Sequence, residues 1–249
     1  MATPFIAGNW KMYKTVGEAV DLVRQLRKEF SKPVDRDIVI APPFTALYPV
    51  AKVLKDSKIH LCAQNLHWKE EGAYTGEISA GMLADAGCKY VIIGHSERRK
   101  FFNEDGLKIN RKIKTALKFD LRPIFCVGEN LSERESGRTF IVVEKQIEEG
   151  LINLSSDDIE KVIIAYEPVW AIGTGKTATP DQAEEAHRFI RNVTARSYGE
   201  ETSGKIVILY GGSVNPENIG NLMDQPDIGG VLVGGASLDV ETFIKIVKF

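Results

Sequence analysis

The sequence predicts an α/β chain folded as one closed (β/α)8 barrel over residues 1–249. Three observations carry this expectation. Short β-branched runs alternate with amphipathic stretches, the pattern of a parallel sheet with helical crossovers. Eight such runs recur with a mean step of about 32 residues, the length of one βαβ unit. No Ser/Gly linker, low-complexity tract or break in composition divides the chain, and eight such units favour closure over an open doubly wound sheet. The units share a period but no sequence repeat, which argues against a solenoid.

In chain order the candidate strands are Phe5–Asn9, Ile38–Ala41, Ile59–Gln64, Tyr90–Ile93, Pro123–Val127, Val162–Tyr166, Ile206–Tyr210 and Gly230–Val233. Each has four to six residues, with turn-forming or charged residues at its ends. Between them, Val16–Phe30 places Val16, Ala19, Val20, Val23 and Leu26 at helical spacing. Asp105–Phe119, Phe140–Leu151, Pro180–Arg196 and Asp239–Val247 read the same way. Thr179 is a natural N-cap before Pro180.

Composition narrows the functional classes. Lys and Arg number 32 against 34 Asp and Glu, a formal net charge of −2. With no basic stripe interleaved with aromatics, nucleic acid is not an expected partner. A chain of this length buries enough surface to fold without a disulfide or metal staple. No apolar run reaches 18 residues, so no membrane span is expected, and Met1 to Ile6 does not read as a signal peptide. Cys62, Cys88 and Cys126 form an odd set without CxxC spacing. A reducing, cytoplasmic compartment is the expectation, and no structural zinc. His60, His67 and His187 lack metal-ligand spacing, so no metal is assigned.

Barrel chemistry sits at the C-terminal ends of the strands. That rule gathers Asn9, Lys11, Gln64, Asn65, His95, Ser96, Glu97, Cys126, Glu129, Glu167, Gly211–Ser213 and Gly234–Gly235 at one mouth. In Ala165-Tyr166-Glu167-Pro168-Val169-Trp170, proline stops the strand and apolar neighbours flank a carboxylate. Glu167 is either a surface residue at a strand end or a partly desolvated base with a raised pKa. His95 opens a helix start, where exposed amides disfavour extra positive charge; it is either structural or a neutral hydrogen-bond donor.

Gly173-Thr174-Gly175-Lys176-Thr177-Ala178 imitates a nucleotide motif. A Walker loop would need glycine where Trp170 stands, and a dinucleotide turn would need a tight strand-to-helix connection that Pro168 and the long loop deny. The segment reads better as a hinged lid. The paired glycines of Gly211-Gly212-Ser213 and Gly234-Gly235 follow the last two strands, where backbone amides can approach a phosphate group. The loop from Gln64 to Glu77 carries Leu66, Trp68 and Tyr74, so it is a second lid or a subunit contact. Cys126 reads as a packed small hydrophobe.

These segments, with Asn9-Trp10-Lys11, Gly94-His95-Ser96-Glu97-Arg98-Arg99, the run Ala165 to Lys176, Tyr210-Gly211-Gly212-Ser213-Val214 and Val233-Gly234-Gly235-Ala236, resemble the triosephosphate isomerase family from Phe5 to the last helix. The resemblance implies a TIM barrel that interconverts dihydroxyacetone phosphate and glyceraldehyde 3-phosphate without a cofactor, usually as a homodimer. It implies Glu167 as the base, a neutral His95 as electrophile and proton shuttle, and Lys11 and Asn9 at the substrate oxygens. Glu97 would orient Lys11, and Ser96 would contact the base before substrate arrives. Gly173, Ser213, Gly234 and Gly235 would offer phosphate amides; Tyr210, Ser213 and Ala178 would latch the lid; and Thr75 would enter the partner subunit. A different phosphosugar barrel would need a Schiff-base lysine or metal carboxylates at strand ends, and a non-catalytic phosphate-binding barrel would lack the base or the imidazole.

Overall fold

In the computed structural model, which describes residues 3–32, 34–171 and 177–249, eight parallel strands close into one barrel in sequence order. They are β1 (Phe5–Asn9), β2 (Asp37–Ala41), β3 (Ile59–Ala63), β4 (Tyr90–Ile93), β5 (Arg122–Val127), β6 (Ile163–Tyr166), β7 (Ile208–Tyr210) and β8 (Gly230–Val233). β1 pairs with β2 from Phe5↔Asp37 to Asn9↔Ala41, and β8 closes on it from Phe5↔Gly230 to Gly8↔Val233. The chain is a single-domain (β/α)8 barrel.

Alternation along each strand divides the core in two. Phe5, Ala7, Val39, Cys62, Ile92, Ile124, Cys126, Ile163 and Leu209 belong to one packed cluster, and their neighbours Ile6, Ile38, Ile40, Val91 and Ile164 to the other. Successive strand residues point to opposite faces, so the first cluster fills the barrel and the second meets the helices. Each buried Ile or Phe contributes about 1.5–3 kcal/mol of apolar transfer.

The long helices follow their sequence signals. Helix Val16–Glu29 buries Ala19, Leu22, Val23 and Leu26, and Glu18 reaches back to accept the Thr15 amide at 2.7 Å. Helix Pro180–Tyr198 starts with Pro at its first turn, and Thr179 and Gln182 cap each other's amides. Six short helices lie outside the periodic reading: Leu47–Leu54, Ala80–Asp85, Leu131–Glu135, Ser156–Ile159, Glu200–Lys205 and Ile219–Met223. Five of them have six residues or fewer, too few turns for a 3.6-residue pattern to show. Side-chain caps from Ser79, Asn130 and Ser155 hold three of them.

Two strands start later than the apolar runs suggest, for one reason. The Val162 amide binds the Ile159 carbonyl, and the Ile206 amide binds the Ser203 carbonyl, so each residue ends a helical turn before the ladder begins. β3 stops at Ala63, its last pair being Ala63↔Val91, and Gln64 turns its side chain across the barrel mouth instead. No helix among the described residues is long and apolar enough to cross a membrane.

Candidate active site

Glu167 follows β6 directly and keeps the strand's course for one more residue, its amide donating to the Val127 carbonyl at 2.7 Å. The residue is buried, so its carboxylate must find partners inside the protein. Oε1 lies 2.9 Å from His95 Nε2, and Oε2 accepts the Ser96 amide at 2.9 Å. A Cβ on Gly211 would come within 3.0 Å of the Glu167 Cγ, so glycine there leaves the side chain its room.

These partners reverse the expected pKa shift. Burial alone would raise the Glu167 carboxyl, but His95 and the Ser96 amide outweigh it and hold the pKa below the ordinary carboxylate value. A base with a raised pKa is therefore not the state of this geometry. Apolar flanks in sequence predict desolvation; they carry no information on the imidazole and amide that fold against the carboxylate.

His95 caps the helix Ser96–Phe102 with its own ring, Nδ1 accepting the Glu97 amide at 3.3 Å. A nitrogen that accepts an N–H carries no proton, which leaves the ring's single proton on Nε2, facing Glu167. Burial pushes the imidazole pKa down, and the Glu167 carboxylate more than offsets it, so the net direction is upward. The expected lowering is thus absent while the two groups are paired. Moving the carboxylate away would leave burial, the largest single influence, to favour the neutral ring.

Lys11 sits two residues past β1 in left-handed backbone, φ 51°. A non-glycine residue there is strained and needs support. Asn9 Oδ1 accepts the Lys11 amide at 3.0 Å, and Gln64 Nε2 donates to the Lys11 carbonyl and to the Ala41 carbonyl, both at 2.8 Å. Glu97 Oε1 takes the Lys11 ammonium at 2.7 Å. Backbone and side chain of Lys11 are therefore both held.

Asn9, Lys11, His95 and Glu167 share a cavity of about 380 Å³ with Gly211, Gly212, Ser213, Gly234 and Gly235. Such a volume suits a small ligand. Gly234 and Gly235 open a 3-10 turn, Gly235–Leu238, and the Ser237 amide and hydroxyl both go to the Gly234 carbonyl. The pocket thus combines a carboxylate and an imidazole with glycine backbone, Gly211 beside Glu167 and Gly234 beside the Lys11 side chain.

Beyond β6, Val169–Ala171 forms a 3-10 turn anchored to the fully buried Glu129. The Glu129 carbonyl accepts the Val169 amide at 3.0 Å; its carboxylate accepts Trp170 Nε1 at 2.9 Å and the Tyr166 hydroxyl at 3.1 Å. Arg134 completes the group, 3.2 Å from the carboxylate and over the Trp170 ring. Gly173, the expected phosphate contact at the lid tip, and Lys176, in the second hinge, lie outside the described residues. Ala178 is described and buried. Burial pushes the Tyr210 phenol up to about 12, with a contact to the Ala178 backbone pulling the other way. Thr75 is exposed on the loop after β3 and stands apart from the pocket.

The sequence reading placed Gln64 and Glu129 at the mouth without giving them work. The partners of Gln64 are 23 to 53 residues away and, apart from Arg134 five residues on, those of Glu129 are 37 to 41 away, so local pattern holds little trace of the pairing.

Fold and site define a (β/α)8-barrel enzyme with a buried carboxylate–imidazole pair at the edge of a glycine-lined pocket. The family model for triosephosphate isomerase matches residues 4–249. Over its whole length the chain is 55% identical to a triosephosphate isomerase of Geobacter metallireducens, covering 99% of that protein. It is 56% identical to one from Carboxydothermus hydrogenoformans, again with 100% and 99% covered, and 51% identical to one from Chloroflexus aurantiacus with both chains fully covered. The chain belongs to the triosephosphate isomerase family and is an isomerase of triose phosphate.

Proposed function

We propose that the protein interconverts dihydroxyacetone phosphate and glyceraldehyde 3-phosphate through an enediolate, with Glu167 as the base. Glu167 takes a proton from one of the two substrate carbons and returns it to the other. His95 donates from Nε2 to the carbonyl oxygen, then moves protons between the two oxygens. Lys11 and Asn9 face the developing negative charge, where a fixed ammonium stabilises an oxyanion. Ser96 holds the carboxylate until substrate replaces it. Amides at Ser213, Gly234 and Gly235, with Gly173 from the lid, receive the phosphate. Tyr210, Ser213 and Ala178 latch the closed lid.

One observation supports this reading above the rest. A buried Glu167 and His95 meet at 2.9 Å on the wall of a pocket that is also lined by glycine backbone, Gly234 lying next to the Lys11 side chain. Measured with a coupled dehydrogenase and its NADH, glyceraldehyde 3-phosphate should turn over with no metal or cofactor added for the isomerase itself. Failure to produce dihydroxyacetone phosphate would remove the reading.

The reading includes a homodimer in the cytoplasm. A second cavity, about 470 Å³, borders Lys11, His95 and Glu97 and is walled by Phe44, Gly76, Ile78 and Phe102. Met12 is 94% exposed beside it, and Tyr48, Tyr74, Met82 and Phe101 are exposed as well. Apolar surface on this scale calls for a covering partner, and a second copy's loop around Thr75 fits that role. Free, buried Cys62, Cys88 and Cys126 suit a reducing compartment. Sedimentation of a variant shortened between Trp68 and Thr75 should show a monomer; an intact dimer would return that loop to a lid role.

A further inference from the structure

We propose that Gln146, on the helix Thr139–Leu151 outside the barrel, is a positioning residue for the isomerisation. It clamps the Gly128 backbone, against which the main chain of the base is set. The inference rests on Glu167 being that base.

β5 parts from β4 after Ile93↔Phe125 and continues beside β6, where the Val127 carbonyl takes the Glu167 amide. Gly128 comes next. A Cβ on it would stand 1.8 Å from the Glu167 carbonyl oxygen and 2.7 Å from its carbonyl carbon. The two main chains therefore touch with no side chain between them, and a shift of one displaces the other. Only glycine permits this approach.

With no β4 residue opposite, Gly128 has no strand partner for its own polar groups. Gln146 supplies both: Oε1 accepts the Gly128 amide at 2.8 Å, and Nε2 donates to the Gly128 carbonyl at 3.1 Å. A primary amide is the one neutral side-chain group that offers donor and acceptor together in this spacing. The helix is brought close enough by Gly150, one turn further along the same face. A Cβ there would fall 2.3 Å from the Phe125 ring, and Asn110 Nδ2 ties the Gly150 carbonyl at 2.9 Å.

Gln146 does not line the substrate pocket. Its leverage is on the chain at 127–129, which binds the Glu167 amide at one end and the Val169 amide and Trp170 indole at the other. One clamp thus sets both the base and the first turn of the loop that follows it.

The test compares Gln146→Met, which keeps length and loses both bonds, with Gln146→Glu, which keeps only the acceptor. Steady-state kinetics, thermal melting and inorganic phosphate binding are measured on each, alone and combined with Glu167→Asp. Because a displacement of about 1 Å can cost about 10²-fold, Gln146→Met should lower kcat by about 10- to 100-fold with KM and phosphate affinity little changed. Gln146→Glu should fall between Met and the native residue, and it serves alone where Met does not fold. In the Glu167→Asp background the loss from Gln146→Met should shrink, since both act through one carboxylate. A lower melting temperature with native kcat would make the clamp purely structural and overturn the proposal, as would fully additive losses. Native turnover in Glu167→Asp alone would instead overturn the assignment of the base.

Discussion

His95 Nε2 stands 2.9 Å from Glu167 Oε1, so the two groups whose joint chemistry is proposed are paired with each other in the unliganded protein. Each offsets the other's burial, lowering the carboxyl pKa and raising that of the imidazole. In the proposed reaction a substrate comes between them. On that exchange the carboxylate gives up its imidazole partner and becomes a stronger base, while the ring keeps its proton on Nε2 and loses the anion that favoured a second one. The pairing thus stores the protonation states that the proposed reaction needs.

Glu167→Asp retains the charge and draws it back by one methylene. A displacement near 1 Å at a reacting atom can cost about 10²-fold, so kcat should fall by about that factor with KM much less affected. Steady-state kinetics in both directions would check this, and unaltered turnover would take Glu167 out of the reaction.

His95→Gln keeps a hydrogen-bond donor but cannot pass a proton between two oxygens. Turnover should drop by about 10²- to 10⁴-fold, the usual worth of a positioned acid–base group, while circular dichroism and phosphate binding stay native. An effect of only a few-fold would confine the ring to capping the helix Ser96–Phe102.

Tyr210→Phe separates stability from latching. The hydroxyl is buried, and its contact with the Ala178 backbone falls short of a well-formed hydrogen bond, so its removal should change the melting temperature little. If the hydroxyl binds the Ala178 backbone when the lid closes, kcat/KM should fall about five-fold, the equivalent of one net hydrogen bond of about 1 kcal/mol. A stability loss with native kinetics would assign the hydroxyl to the fold alone.

Glu104→Gln addresses the fold beside the site. Lys112 Nζ lies 2.5 Å and Arg98 Nε 2.6 Å from one Glu104 oxygen, and Lys112 also donates to Asn65 at 2.7 Å. Burial raises the Glu104 pKa, but Lys112 and Arg98 outweigh it and the net direction is down. A depressed folded pKa contributes stability above the unfolded value of 4.5, lost as pH falls through the folded value. Leaving the buried Lys112 charge uncompensated should cost about 3–5 kcal/mol at neutral pH. Urea titrations should show the gap between native protein and variant closing below pH 4.5; a gap independent of pH would mean that Glu104 contributes by packing.

By itself, the sequence determined the eight-stranded barrel, its long helices and the side chains available at the mouth. Those features are local: Phe5–Asn9 and Tyr90–Ile93 announce strands by their own apolar runs, and Thr179-Pro180 announces a helix by its own cap. Only the tertiary structure decided how those side chains are tuned. Apolar flanks pointed to a raised Glu167 pKa, and residues 71 and 72 positions earlier, Ser96 and His95, turned it downward. Lys11 gave no sign of its left-handed backbone, which Asn9 at the end of β1 and Gln64 just past β3 hold in place. Nothing local sets Gln146 apart from other polar helix residues; its partner Gly128 lies 18 residues earlier and meets it only in the fold. A periodic pattern encodes which face of an element is buried, whereas a carboxylate's proton affinity depends on what lies within about 4–6 Å of it, and barrel closure brings those neighbours from distant strands.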